Sequence, residues 1–250
     1  MSVLVTGAGS GIGEATARLL AERGHEVAVT DIDEAAAARV ADELGTFGVV
    51  LDVTSRASIV KAMDLTEDAL GPLDGWISNA GVSSMIPFLE MPDDEWDRLL
   101  QVNETGVFYC GQEFARRLVA AGRPGAIVNV ASMAAKQGNV PYLSHYIAAK
   151  FAVVGLTQAM AFELGPHGIR VNSVCPGYVA TTMQERELVW EGRLRGLSPR
   201  DVFDGMIKDT PLGRIESADD VARAIAFLVG PDSVFITGEA LAVNGGAFMD

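Results

Sequence analysis

The stretch Val3-Leu4-Val5-Thr6-Gly7-Ala8-Gly9-Ser10-Gly11-Ile12-Gly13-Glu14-Ala15-Thr16-Ala17 decides how the rest of the chain is read. A short β-branched run stops at a glycine-rich turn, and an apolar pattern of helical period follows at once. Glycine reaches positive φ without a Cβ clash and lets the backbone approach a ligand closely. A helix that begins directly after such a turn aims free N–H groups and a positive dipole end at it, which suits a pyrophosphate. The glycines are spaced Gly7-x-x-x-Gly11-x-Gly13, not as the common G-x-G-x-x-G fingerprint. The position of the turn between strand and helix therefore carries the reading. Gly7, Ser10, Gly11, Ile12 and Gly13 are its candidate cofactor contacts.

Outward from this unit, the same alternation continues. Strand patterns are expected at 3–6, 26–31, 48–51, 73–78, 126–131, 170–175 and 240–243. Helical patterns are expected near 11–23, 33–43, 55–70, 95–121, 144–164 and 218–229. Parallel strands need crossover helices, and right-handed crossovers place helices on both faces. The expected fold class is α/β, a single-domain doubly wound parallel sheet (Rossmann) over residues 1–250. No composition break or internal repeat marks a second domain. Residues 182–212 interrupt the rhythm as a long, partly helical insertion. Long connections at the carboxyl ends of strands are where ligands bind, so a substrate lid is expected at 183–210, with subunit packing as the alternative.

Asp31 ends the second strand. A carboxylate there accepts hydrogen bonds from the adenosine ribose of NAD and repels the 2′-phosphate of NADP. No Arg or Lys between Arg23 and Arg39 offsets that charge. The alternative is a helix N-cap, a role Asp33 could also fill. Asp52 and Val53 follow the third strand, where Asp52 faces adenine or is a plain loop aspartate. Asn79, Ala80 and Gly81 end the fourth strand, and their small size permits close passage of a cofactor.

Tyr146 and Lys150 are four apart in a helical stretch, so they share a face. An adjacent ammonium stabilises a phenolate and is expected to lower the tyrosine pKa, giving a general acid/base for an alcohol proton. Ser132 follows the fifth strand and could polarise the substrate oxygen. Asn103 lies inside a helical run, where a buried amide needs partners. Pro176-Gly177-Tyr178-Val179-Ala180-Thr181 follows the sixth strand.

Taken in order, TGAGSGIG at 6–13, NAG at 79–81, Asn103, Ser132, YIAAK at 146–150, PGYVAT at 176–181 and TPLGR at 210–214 resemble the short-chain dehydrogenase/reductase family. The resemblance spans nearly the whole chain. It implies a catalytic tetrad of Asn103, Ser132, Tyr146 and Lys150, with Lys150 also holding the nicotinamide ribose and Asn103 a relay water. It implies that Pro176, Gly177, Val179 and Thr181 line the nicotinamide site, with Val179 and Thr181 on the carboxamide, and that Asp31 marks the NAD-preferring branch. It implies a homotetramer built on the long helices and Asn244–Asp250. The gap from Ser132 to Tyr146 is one residue longer than usual in the family, so the loop 133–145 is expected to be reshaped.

Composition limits the rest. A formal charge of −14 disfavours nucleic acid and anionic membrane surfaces as partners. Two cysteines and three histidines, widely spaced, offer no metal-site or disulfide pattern. No signal peptide is visible and no segment is expected to span a membrane, so the expected compartment is the cytoplasm. Candidate substrate contacts are Ala134, Tyr142, Tyr178, Met183 and Trp190, with Ser83, Gln137 and His145 also considered. For each of them a packing or surface role is an equal alternative, and His145 could face solvent. Their mixture leans towards a small hydroxylated substrate, and the chain is similar to the family's polyol dehydrogenases. The rivals are reduction of 3-oxoacyl groups on a carrier protein or coenzyme A, and an NAD-binding sensor or scaffold without turnover.

Overall fold

The computed structural model describes residues 1–249. Seven strands form one parallel sheet: β1 (Ser2–Thr6), β2 (Glu26–Asp31), β3 (Phe47–Val50), β4 (Gly75–Ser78), β5 (Gly125–Val130), β6 (Ile169–Pro176) and β7 (Ala240–Val243), in the order β3-β2-β1-β4-β5-β6-β7. The helices are α1 (Gly11–Glu22), α2 (Glu34–Leu44), α3 (Arg56–Leu70), α4 (Asp93–Leu100), α5 (Gly106–Ala121), α6 (Ser144–Leu164), α7 (Thr182–Arg195), α8 (Pro199–Asp209) and α9 (Ala218–Val229).

Alternation along each strand assigns the two faces. Val3 and Val5 of β1, with Val27 and Val29 of β2, pack against Leu20, Val40, Val221 and Ile225 of α1, α2 and α9. Leu4, Ala28, Trp76 and Ile127 point the other way, onto Ile59, Met63, Phe114 and Leu118 of α3 and α5. Burying both faces is what makes these strands near-continuous apolar runs. The expected doubly wound sheet is thus the observed one.

Three expectations need correction. The run 95–121 is helical throughout but not uniformly α: a π-helical turn, Gln101–Thr105, joins α4 to α5. The insertion is more regular than expected, forming the helix pair α7 and α8. Capping explains the second start, because Ser198 and Asp201 form a reciprocal box ahead of Pro199. Finally, Ser144–His167 is long and apolar enough to cross a membrane by length and composition. In the fold it is the helix that brings Tyr146 and Lys150 to the carboxyl end of β5, with Ala149, Val153 and Ala161 buried beneath it.

Candidate active site

The strand order reverses between β1 and β4, so the crossovers diverge there and leave a crevice at the strands' carboxyl ends. A cavity of about 480 Å³ opens at this place.

One end is built by the glycine-rich turn. Gly7 has φ +62, and a Cβ on it would lie 2.8 Å from Ala80 Cα. Asn79 fastens the turn to β4: its Nδ2 donates to the carbonyls of Thr6 (2.9 Å) and Gly7 (3.0 Å). The Thr6 hydroxyl accepts the N–H groups of Asn79 and Ala80. Gly13 does not line the cavity. A Cβ there would lie 2.2 Å from the Gly7 carbonyl oxygen, so this glycine lets α1 pack beneath the turn. Ser10, Gly11 and Ile12 do line it, and Ser10 makes no side-chain cap to α1. The free N–H groups of the first turn therefore face the cavity, as a pyrophosphate requires.

Asp31 also lines the cavity, its carboxylate oriented by the N–H groups of Gly9 (Oδ2, 3.0 Å) and Asp33 (Oδ1, 3.0 Å). Asp33 caps α2 through Ala35 and Ala36, so the cap alternative for Asp31 falls away. The structure adds Arg39, which sequence distance hid. Its Nη2 donates to the Gly9 carbonyl at 2.9 Å and pairs with Glu14 at 2.9 Å, while Nη1 pairs with Glu43 at 3.2 Å. The cation beside the turn is thus already neutralised. Asp52 and Val53 line the same end, with Asp52 Oδ1 holding the N–H and hydroxyl of Thr54. Ala80 and Gly81 line the middle, with Pro176, Gly177, Val179 and Thr181 opposite. The donor set, the bare helix N-terminus and the oriented carboxylate fit a nicotinamide dinucleotide.

Ser132, Tyr146 and Lys150 meet at the other end. The Tyr146 hydroxyl is hydrogen-bonded to Ser132, whose Oγ also accepts the Ala134 N–H at 3.1 Å. Lys150 Nζ donates to the Val130 carbonyl at 2.8 Å and lies 5.5 Å from the Tyr146 ring centroid. The expected lowering of the tyrosine pKa by Lys150 is not found within the protein. Burial, reinforced by the charge of Glu187, pushes Tyr146 up, and only the Ser132 hydrogen bond opposes it. Burial holds Lys150 down at about 8.

Asn103 is fully buried in the π turn and does not line the cavity. Its Oδ1 accepts the Val82 N–H (2.8 Å) and its Nδ2 donates to the Val82 carbonyl (2.7 Å), so both ends of the amide are engaged by backbone. It anchors the segment after Gly81, whose own Cβ would meet Asn103 Oδ1 at 3.1 Å and Lys150 Nζ at 3.9 Å.

Of the expected substrate contacts, Ala134, Tyr178 and Met183 line the cavity, and Tyr142 and Trp190 do not. Tyr142 sits in the loop at φ +66, and its neighbours Val140 and Leu143 take the wall positions. On α7 the cavity side carries Gln184, Glu187 and Glu191 rather than Trp190. Gln137 is outside the lining. His145 does not face solvent: it is fully buried, with Nε2 2.8 Å from the Ser84 hydroxyl. Ser83 turns its hydroxyl to Glu187. Glu187 was missed because a charge on a helical insertion reads as a solvated face. The i, i+3/i+4 spacing of Gln184, Glu187 and Glu191 was the available signal.

A family profile described as Enoyl-(Acyl carrier protein) reductase matches residues 7–247. A (3R)-3-hydroxyacyl-CoA dehydrogenase of Canis lupus familiaris is 38% identical over 259 aligned residues, covering 98% of this chain and 95% of that protein. A cis-4-hydroxycyclohexanecarboxylate dehydrogenase of Sinomonas cyclohexanicum is 41% identical over 248 residues, covering 97% and 94%. The crystal structure of sorbitol-6-phosphate 2-dehydrogenase from Erwinia amylovora matches with a TM-score of 0.94 at 29% identity, over 100% of both chains. The chain accordingly belongs to the short-chain dehydrogenase/reductase family, whose members named here are oxidoreductases acting on CH–OH groups, and its reaction uses a nicotinamide cofactor.

Proposed function

We propose that this enzyme oxidises a small polyol at a secondary alcohol, with NAD as the acceptor. The observation that carries this reading is that Ser132, Tyr146 and Lys150 open onto the same cavity as Asp31 and the glycine-rich turn. The nicotinamide, when bound, takes the hydride of the carbinol carbon. Tyr146 takes the hydroxyl proton as phenolate, and Ser132 donates to the substrate oxygen. Lys150 holds the nicotinamide ribose and offsets the phenolate charge. Asn103 acts at one remove, by fixing the Val82 backbone beside Lys150. Val179 and Thr181 hold the carboxamide, and α7–α8 serve as the lid. The site makes turnover a better account than a sensor or scaffold role, since simple binding needs no Ser–Tyr–Lys cluster.

Asp31 supports NAD: its carboxylate is oriented beside the glycine-rich turn, and the nearby Arg39 is neutralised by Glu14 and Glu43. The polyol lean is supported by the polar α7 face at the substrate end and by the likeness to a sugar-alcohol phosphate dehydrogenase. A second reading, a 3-hydroxyacyl thioester as substrate, is favoured by the 38% identical hydroxyacyl-CoA dehydrogenase. The chain's net charge of −14 weighs against docking of an acidic carrier protein.

The test is purified enzyme with NAD or NADP and a panel of polyols, secondary alcohols and 3-hydroxyacyl thioesters, followed by nicotinamide absorbance. Turnover of polyols with NAD is the expected result. Turnover of thioesters alone retains the mechanism and overturns the substrate, and a preference for NADP overturns the role of Asp31. We also propose a homotetramer, supported by exposed Phe151, Phe162 and Phe235, and a cytoplasmic location, supported by two buried cysteines, Cys110 and Cys175, that are not joined in a disulfide.

A further inference from the structure

The mechanism above leaves the cavity carboxylate of Glu187 without a task. Glu187 projects from α7 into the same cavity as Ser132 and Tyr146. The hydroxyl of Ser83 donates to its Oε1. Among the described residues no other side chain donates to it; Arg186 and Glu191 act on it only through their charges. The same cavity is also lined by the apolar side chains of Val82, Met85, Leu143 and Met183.

A partly buried carboxylate carries a desolvation cost, and with Ser83 as its one side-chain donor the second oxygen is open to a donor from the cavity. Here it carries a second cost. Its negative charge disfavours the phenolate that Tyr146 must become, an effect second only to burial. A hydroxyl-bearing ligand relieves the first cost by donating to the free oxygen. A plain alkyl or acyl chain worsens it by excluding water without supplying a donor.

We propose that Glu187 is the specificity-determining residue of this pocket, its Oε2 accepting a hydrogen bond from a second hydroxyl of the substrate close to the reacting carbinol. This rests on the alcohol-oxidising reading above and names the group that would read the neighbouring hydroxyl. Ser83 is its positioning residue, tying α7 to the segment that follows β4. The pocket is thereby a diol site rather than a general alcohol site. A site built to bond a substrate hydroxyl discriminates against the analogue that lacks it far more strongly than an apolar pocket can.

Four probes of matched skeleton test this: butane-2,3-diol against butan-2-ol, and pentane-2,4-diol against pentan-2-ol, each with NAD. The wild-type enzyme should favour at least one diol by roughly tenfold to hundredfold in kcat/KM. In Glu187→Leu that ratio should fall to within about threefold. Glu187→Gln keeps the shape and removes the charge, so it controls for a Leu variant that folds poorly. In both variants the rising limb of kcat/KM against pH should move to lower pH, because the charge opposing the Tyr146 phenolate is gone. No diol preference in the wild type, with both mono-alcohols oxidised, overturns the role of Glu187 and leaves the alcohol-oxidising reading standing. A preference that survives both substitutions does the same. No oxidation of any of the four, nor of the wider panel, overturns both.

Discussion

At the residue scale, Lys150 and Tyr146 show how far this site departs from a stable interior. A buried ammonium with one carbonyl partner is destabilising, and Lys150 is held down at about 8 from its usual 10.5. Between those two values the unfolded chain binds a proton that the folded chain does not. The penalty is therefore complete below about pH 8 and fades as the pH approaches 10.5. Lys150→Met is expected to raise stability at pH 7 by about 1–3 kcal/mol, with the lost hydrogen bond to Val130 offsetting part of the gain, while removing turnover. Thermal melts at pH 7 and pH 10 check this, and the gain should shrink at the higher pH. Tyr146→Phe removes the proton acceptor and should lower kcat by about 10²–10⁴ while leaving NAD affinity, read by fluorescence titration, within a few-fold. At the adenosine end, Asp31→Ser should lose discrimination against NADP by roughly tenfold or more, read as the ratio of kcat/KM for the two cofactors.

At the scale of elements, the π turn between α4 and α5 is the device that turns Asn103 inward. Its amide then replaces a strand neighbour for Val82, giving that backbone both a donor and an acceptor. Asn103→Leu leaves the N–H and C=O of the half-buried Val82 without their partners. The expected cost is about 2–4 kcal/mol, seen as a lower Tm, with an accompanying fall in kcat because the segment beside Lys150 loosens. The helix pair α7 and α8 shows the opposite economy of contacts. Among its residues only Gly192, Val202 and Met206 are buried, so it is held by few apolar anchors. Such elements open at lower free energy than the sheet. Hydrogen exchange in α7 should be faster than in β1 or β5, and should slow when cofactor and substrate are both present.

For the molecule as a whole, the unpaired apolar surface is the feature a single chain does not account for. Phe162 is 88% and Phe235 101% exposed, and Phe151 on the same helix as Phe162 is 45% exposed. Scattered apolar residues on a surface are ordinary, but several aromatic rings on and near one long helix are a signature of association. Light scattering of the wild type should give a mass of several subunits. Phe162→Asp, which places a charge on that face without touching the cavity, should shift the mass downward. An unchanged mass would remove Phe162 from the interface.

The sequence by itself determined the sheet and the turn, and it set Tyr146 and Lys150 on one helix face. Strand and helix periods, the glycines at 7, 11 and 13, and the four-residue step from Tyr146 to Lys150 are local patterns, and short-range geometry is written in short-range spacing. Tertiary structure alone decided what those residues meet. The carbonyl of Val130 against Lys150, Val82 against Asn103 and Glu14 against Arg39 all join positions far apart in the chain. The same holds for Glu187, which reads as a solvated helix charge until α7 folds back and sets it beside Ser83, 104 positions away. Burial and charge at a site depend on distance in space. That is why the sequence named Tyr146 as the acid/base, yet expected its pKa to be lowered when the protein around it raises it.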